Sequence, residues 1–390
     1  MQSPVSHSWM MSLPVRVRSF DWDRDRRAVE ELERLCQAGF ASARTSLVTI
    51  TMGDPLCRVR HSPIYEMLVA EVGDEVVGII RGTIKRVLVS ANSMEAIVGY
   101  LLGLRVSPLH RRRGIASHLV RAMEDWFASN AVEWAYMATE KSNEPSIQLF
   151  TSKFGYVKFR QPILLVNPVG QRKKPLNLAE SSVKVTALEV DDAARLYRRS
   201  LSSAEFFPLD IDRILSSEPS LGTWVACPRD EHWATASSLA VLSVWNGGEV
   251  YKLRLGRAPW AFVALSKASR ILEMIIPAQL GLGFPSVPDL SSAFGFYFMY
   301  GLHAEGPRSA SLLRFLCLLV HNMAVKDGDV KVVVAELGGR DELRHHVPHF
   351  GCMSCSEDLW CVKSLREDSS PPEWAKAPPQ ARLFVDPREV

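Results

Sequence analysis

Val106-Ser107-Pro108-Leu109-His110-Arg111-Arg112-Arg113-Gly114-Ile115-Ala116 is the stretch on which the reading of the fold turns. It joins an apolar run at 96–106, which reads as a strand, to a segment whose Leu119, Met123, Trp126 and Phe127 recur at helical spacing. A glycine-containing turn at such a junction points successive backbone N–H groups at an anion, and the positive end of the new helix adds attraction. Gly114 lets the backbone come close, Ala116 is too small to block a phosphate, and Arg111, Arg112 and Arg113 bring bidentate cationic donors to the same place. Most three-arginine runs are solvated turns, so the neighbouring sequence has to decide.

Downstream, Asn143-Glu144-Pro145-Ser146-Ile147-Gln148-Leu149-Phe150 opens a short helix, with Pro145 in its first turn and Gly155 placed to end it. A buried strand is expected at 132–139 and another at 156–166. Upstream, residues 15–20 alternate like a strand, Asp23 offers a helix N-cap, and Val29, Leu32, Leu35 and Cys36 share one helical face. Residues 66–83 read as two strands joined at Gly73-Asp74.

The second half repeats the first in worn form. Val183-Lys184-Val185-Thr186-Ala187-Leu188, followed by Asp191 and a helix, echoes the segment at 15–20 followed by Asp23. Tyr300-Gly301-Leu302 echoes Leu102-Gly103-Leu104, and Phe350-Gly351 echoes Phe154-Gly155 at nearly the same spacing. The division expected is a first domain at 1–168, a linker at 169–181, a second domain at 182–366 and a proline-rich tail at 367–390. The turn of the second copy, Glu305-Gly306-Pro307-Arg308, lacks the Arg-x-x-Gly-x-Ala spacing, so no cofactor is expected there. The apolar helix at 311–325 is expected to be buried on more than one side, between the domains.

Together the two first-half segments resemble the GNAT superfamily of acetyltransferases. The first matches its R/Q-x-x-G-x-G/A pyrophosphate loop, and the second its N-x-x-S/A…L-F/Y-x-x-x-G-F/Y segment, in the right order. The resemblance implies an α/β fold of two tandem GNAT-like domains, each a mixed, mostly antiparallel sheet flanked by helices, the second degenerate. It also implies acetyl-CoA as co-substrate. Leu104, Arg105 and Val106 would pair with the pantetheine arm, Arg111, Arg112, Arg113, Gly114, Ile115 and Ala116 would hold the pyrophosphate, and Asn143 and Phe150 would lie along the lower arm. For the base that deprotonates the acceptor amine, Glu140 and Glu95 stand as alternatives, because Tyr100 occupies the strand position where some relatives carry glutamate. Phe150 stands where many relatives place a proton-donating tyrosine.

Beyond those segments, Glu205-Phe206-Phe207-Pro208-Leu209-Asp210, Glu357-Asp358-Leu359-Trp360-Cys361 and Phe384-Val385-Asp386-Pro387-Arg388-Glu389 resemble the HOOKLESS-type N-acetyltransferase-like proteins of plants. That similarity implies a nuclear regulator of growth tied to ethylene and auxin responses, with protein or histone amines as acceptors. It leaves two functional classes open. One is an N-acetyltransferase; the other is a regulatory scaffold with a vestigial cofactor site, binding partners through 182–366.

Composition sets the outer limits. In 390 residues, 47% hydrophobic and 23% charged, a net charge of +3 gives no strong basic footprint for nucleic acid. Seven scattered cysteines suit reduced thiols better than a disulfide framework, and the opening residues show no secretory pattern, so an intracellular, non-membrane protein is expected. Homo-oligomerisation stays open. His345, His346, His349, Cys352, Cys355 and Cys361 lack a second knuckle at zinc spacing, so no metal is expected.

Overall fold

The computed structural model describes residues 14–39, 46–89, 94–170, 182–257, 288–351, 353–354, 358–366, 373–379 and 382–390. In the first half, β1 is Val15–Ser19, β2 Ser46–Ile50, β3 Ile64–Val72, β4 Glu75–Leu88, β5 Glu95–Val106, β6 Trp134–Glu140, β7 Val157–Arg160 and β8 Ile163–Pro168. The second half has β9 Val183–Leu188, β10 Phe207–Pro208, β11 Ser220–Pro228, β12 Leu239–Asn246, β13 Lys252–Arg257, β14 Gly295–Glu305, β15 Val330–Leu337 and β16 Asp358–Ser364. Helices α1 (Trp22–Gly39), α2 (Ile115–Ser129) and α3 (Glu144–Gln148) flank the first sheet.

Local signals account for most of these elements. The hairpin turns at Gly73-Asp74, since Val72 pairs with Glu75 across it. Helix α1 is capped two residues before the expected cap: the Asp21 side chain, not that of Asp23, accepts from the Arg24 N–H at 2.9 Å. Its buried stripe is Val29, Leu32 and Cys36, whereas Leu35 faces out at 41% exposure. Helix α2 buries Leu119, Met123 and Phe127 against β4 and β5.

The sheets run in the order β1-β3-β4-β5-β6-β16-β7 and β8-β15-β14-β12-β11-β9, with β10 on β4 and a separate β13-β2 ribbon. Each sheet thus contains a strand from the other half of the chain. The single strand expected at 156–166 is broken at Gln161-Pro162, where proline has no N–H for a ladder, and its two pieces enter different sheets. β7 stays in the first sheet, while β8 lies antiparallel to β15 in the second, Leu165 opposite Ala335. In return β16 slots between β6 and β7, Cys361 opposite Met137. Sheet membership therefore crosses the boundary expected at 168, and the linker at 171–181 lies outside the described residues.

One large core joins the sheets, with Tyr100, Tyr136, Phe159 and Trp360 from the first and Trp245, Phe298, Tyr300 and Val334 from the second. The Ser309–Asp327 helix does not lie in that core. It covers the other face of the second sheet, where Leu312, Leu313, Leu316 and Val320 are buried, so its breadth of apolar surface serves a wide sheet. The chain's last residues pack inward: Leu383, Phe384 and Val385 are core residues, and Phe384 N–H donates to Glu205 C=O at 2.8 Å.

Buried charge locks the halves together. Arg160 on β7 forks onto Glu205, with Nε 2.5 Å from Oε2, and also donates to the Trp374 carbonyl at 3.2 Å. Lys85 on β4 reaches Glu389 at 2.8 Å and Asp386 at 3.4 Å, and Arg388 bridges Asp386 to Asp210 at 2.7 Å each. The neighbouring Arg388 and Lys85 charges hold the Asp386 carboxyl well below its ordinary range despite its burial. Glu205→Ala strands the Arg160 guanidinium in the core, and should cost about 3 to 5 kcal/mol in chemical denaturation. Cutting the chain after residue 170 removes β16 from between β6 and β7, so circular dichroism of that fragment alone should show an unfolded or aggregated chain.

Candidate functional site

One residue sets the geometry of the site. Along β4 and β5, Arg81 pairs with Leu102 and Ile79 with Arg105, so β5 carries an extra residue there. Gly103 sits in this bulge at φ +63°, a left-handed conformation that disfavours any side chain. A Cβ on Gly103 would lie 2.7 Å from Arg81 Nη1. On its other edge β5 pairs in parallel with β6 only from Val98 opposite Trp134 to Leu101 opposite Met137. Beyond that the strands part, leaving the β6-facing edge of 102–106 without a strand partner among the described residues.

A cleft of about 510 Å³ opens in the gap. It is lined by Leu104, Arg105, Val106, Arg111, Arg112, Ala116, Asn143 and Phe150, all singled out from the sequence, and also by Cys36, Met137 and Thr139. At its mouth Arg112 and Gly114 are both left-handed, at φ 61° and 81°. The first turn of α2 begins bonding at Ser117, whose N–H donates to Gly114 C=O at 2.9 Å, so the N–H groups of Gly114, Ile115 and Ala116 ahead of it meet no acceptor among the described residues. A row of free N–H groups at a helix N-terminus, beside exposed arginines, fits a pyrophosphate. Arg113 and Gly114 are exposed on the outer side of this turn, and the Ile115 side chain is in the core under α2.

Asn143 caps α3: its Oδ1 accepts the Ser146 N–H at 3.4 Å and its Nδ2 donates to Thr139 Oγ1 at 3.1 Å, fixing the helix to the end of β6. The chain then winds wider through 149–153 and turns Phe150 inward, edge-on to Tyr156 at 5.1 Å. On the opposite side of β5, Arg81 donates to Glu33 at 2.6 Å and to the Pro55 carbonyl at 2.8 Å.

The two carboxylates weighed as bases part company. Glu95 begins β5, at the far end from the bulge, and ion-pairs with Arg86 at 2.7 Å; the structure does not bring it to the cleft, because a strand cannot fold back on itself. Glu140 ends β6 beside the cleft. It faces Asp358, its cross-strand partner on β16, and burial together with Glu140 pushes the Asp358 carboxyl up to about 6. Nothing near Glu140 in sequence signalled Asp358, since only the strand exchange makes them neighbours. Glu336 on β15 is raised to about 8, by burial and then by Asp358 and Glu389.

The second copy repeats the bulge and loses the cleft. Tyr300 pairs with Ser243 and His303 with Val241, with Gly301 at φ +63° in the position of Gly103. The β14–β15 pairing likewise stops, at Met299 opposite Ala335. Here Arg382, Leu383, Phe384 and Val385 occupy the gap and leave about 20 Å³. Its turn also spends its donors internally: Arg308 N–H bonds Ser238 Oγ at 3.2 Å and Ser309 N–H bonds Gly306 C=O at 3.2 Å.

A family model described as "Acetyltransferase (GNAT) family" matches residues 29–156. Over 97% of its length the chain is 43% identical to the Arabidopsis thaliana protein "Probable N-acetyltransferase HLS1-like", all of which is covered. It is 39% identical over 99% of its length to the whole of "Acetyl transferase GW6a" of Oryza sativa subsp. japonica. The chain belongs to the GNAT acetyltransferase family, among the HLS1-like members. Saccharomyces cerevisiae N-myristoyltransferase shares the fold at TM-score 0.52 and 10% identity, with 90% of this chain and 80% of that one covered. A GCN5-related N-acetyltransferase from Sphaerobacter thermophilus does so at 0.51 and 11%, covering 91% and 98%. The protein is therefore an acyltransferase with an acyl-CoA as donor and some amine as acceptor. The segments that carried the HOOKLESS-type resemblance are those that build the joint core, with Phe206 edge-on to Tyr136 at 5.0 Å and Asp210 holding Arg388.

The raised Glu336 carboxyl has a consequence for stability. Its protonated form is favoured by the fold, so its contribution is complete below the ordinary carboxylate range and is lost as pH rises toward about 8. Glu336→Gln should flatten the fall in melting temperature between about pH 5 and about pH 9.

Proposed function

We propose that this acyltransferase is an N-acetyltransferase that takes acetyl from acetyl-CoA and delivers it to a protein or histone amine, as a nuclear growth regulator in a plant. The observation that carries the donor assignment is the row of free N–H groups from Gly114 to Ala116 at the mouth of the cleft, next to Arg111 and Arg112. On this reading the pyrophosphate rests on that row, with Arg111 and Arg112 beside it. The pantetheine arm runs along the unpaired edge of Leu104, Arg105 and Val106, and Asn143 and Phe150 flank its lower part. The names of the relatives support acetyl as the group and nitrogen as the acceptor atom. On this reading Glu140, exposed at the end of β6 beside the cleft, passes the amine's proton on by way of water.

A second reading is favoured by Phe150, which stands at the cleft without a proton to give a departing thiolate. It makes the chain a slow or inactive acetyl-CoA-binding scaffold that works through protein partners at 182–366.

Calorimetric titration of acetyl-CoA into the full chain should give one site per molecule. Gly114→Val should weaken it by about tenfold or more, roughly 1.4 kcal/mol. A Cβ there meets no atom closer than His118 at 3.7 Å, so this change acts on the left-handed turn and spares the packing. Unchanged affinity in the variant would overturn the assignment of the turn. Heat of binding without acetyl transfer to any lysine-bearing peptide would favour the scaffold.

A further inference from the structure

Tyr100 is a buried polar group with no use yet described. Only 8% of it is exposed, and its ring stacks on Tyr136 at 4.8 Å, in the register pair just before β5 and β6 separate. The Tyr136 hydroxyl is spent on Glu389 at 2.6 Å. The Tyr100 hydroxyl makes no hydrogen bond among the described residues.

What this hydroxyl faces defines the group. Side chains alternate along a strand, so Tyr100 and Leu102 on β5, and Tyr136, Ala138 and Glu140 on β6, point away from α2 toward the second sheet. Leu102 and Ala138 are walls of the donor cleft, so Tyr100 stands at its inner end. From the other half, Asp358 and Trp360 on β16 and Glu336 on β15 point into the same space, and the Trp360 indole donates to Glu336. The charged groups acting on Tyr100 are Glu389, Arg58, Glu336 and Asp358. Lys85 is the counter-ion of Glu389 and Asp386, whereas Glu336, Asp358 and Glu140 have no cationic partner among the described residues. Exposure rises outward, from buried Glu389 through half-buried Glu336 and Asp358 to exposed Glu140.

We propose that Tyr100, Glu336 and Asp358 form the site of the acceptor amine, with Asp358 as its proton acceptor. This rests on the transferase reading above. The ammonium is the missing counter-ion of Asp358 and hydrogen-bonds to Tyr100. Asp358 takes one proton and hands it to water past Glu140. The nitrogen lone pair then forms the C–N bond at the thioester carbonyl carbon, the C–S bond breaks, and the sulfur leaves with the second nitrogen proton. Glu336 and Asp358 supply the charge pattern this needs: burial raises both carboxyls, and Asp358 raises Glu336 further, so at neutral pH Glu336, raised to about 8, keeps its proton and Asp358, at about 6, is the anion. The second half of the chain thereby completes the active site of the first.

The test compares two acceptors with acetyl-CoA as donor, reading free thiol. One is a lysine-bearing peptide, an ammonium at neutral pH; the other is hydroxylamine, already unprotonated and in no need of a base. Asp358→Asn should lower kcat for the peptide by about a hundredfold and abolish the rise of rate through about pH 6, while hydroxylamine transfer stays within about threefold. Tyr100→Phe should raise KM for the peptide and leave the calorimetric affinity for acetyl-CoA unchanged, which also verifies the fold. Equal loss of both acceptors, or of neither, in Asp358→Asn overturns the proposal. A wild-type chain that binds acetyl-CoA and acetylates neither probe overturns the transferase reading itself, and the acceptor site with it.

Discussion

The outer edges of β6 and β15 carry rows of N–H and C=O groups that must be bonded, and in each case the strand that bonds them comes from the other half of the chain. This exchange is the constraint on which the rest of the architecture depends. Once β8 has crossed to the second sheet and β16 to the first, the two sheets face one another over a shared core. Aromatic side chains from both sides then fill it, and buried ion pairs such as Arg160 with Glu205 and Lys85 with Glu389 hold its register. Such pairs add little net stability over a well-packed apolar core, but each penalises any arrangement that separates its members. That makes the relative placement of the sheets specific.

Duplication supplied the same device twice and the two copies were put to different uses. Gly103 and Gly301 adopt one conformation, make the same bulge and end the same parallel pairing. In the first half the opened gap ends at a turn with free N–H groups and remains a cleft. In the second, residues 382–385 fill the gap and the turn's donors are bonded within the chain. A splayed strand pair exposes backbone that something must satisfy. A ligand does so in one case, and the chain's own terminal segment in the other.

Much of this was legible from local chemistry. The turn at 106–116 announced itself through residue types whose backbone behaviour is intrinsic, above all glycine at a strand-to-helix junction. The hairpin at Gly73-Asp74, the capped helix at Asn143 and the echo of Gly103 in Gly301 were readable for the same reason. Errors of a residue or two, such as Asp23 for Asp21, arose because neighbouring acidic residues carry equal capping propensity. The apolar helix at 309–327 was placed between the domains because hydrophobicity reports how much surface is covered and not by what.

The sequence by itself determined the family, the duplicated α/β plan and the residues that meet at the donor cleft, because each depends on contacts short in sequence or on backbone conformations tied to residue type. Only the tertiary structure decided that a strand read as continuous at 156–166 is divided between two sheets, that Glu95 is remote from the cleft, and that Asp358 and Glu336 stand beside Glu140 and Tyr100. Those placements depend on which distant strand satisfies an open edge. Many apolar strands offer the same hydrogen bonds, so the choice is made by the packing of the whole core, to which no single stretch of sequence holds the key.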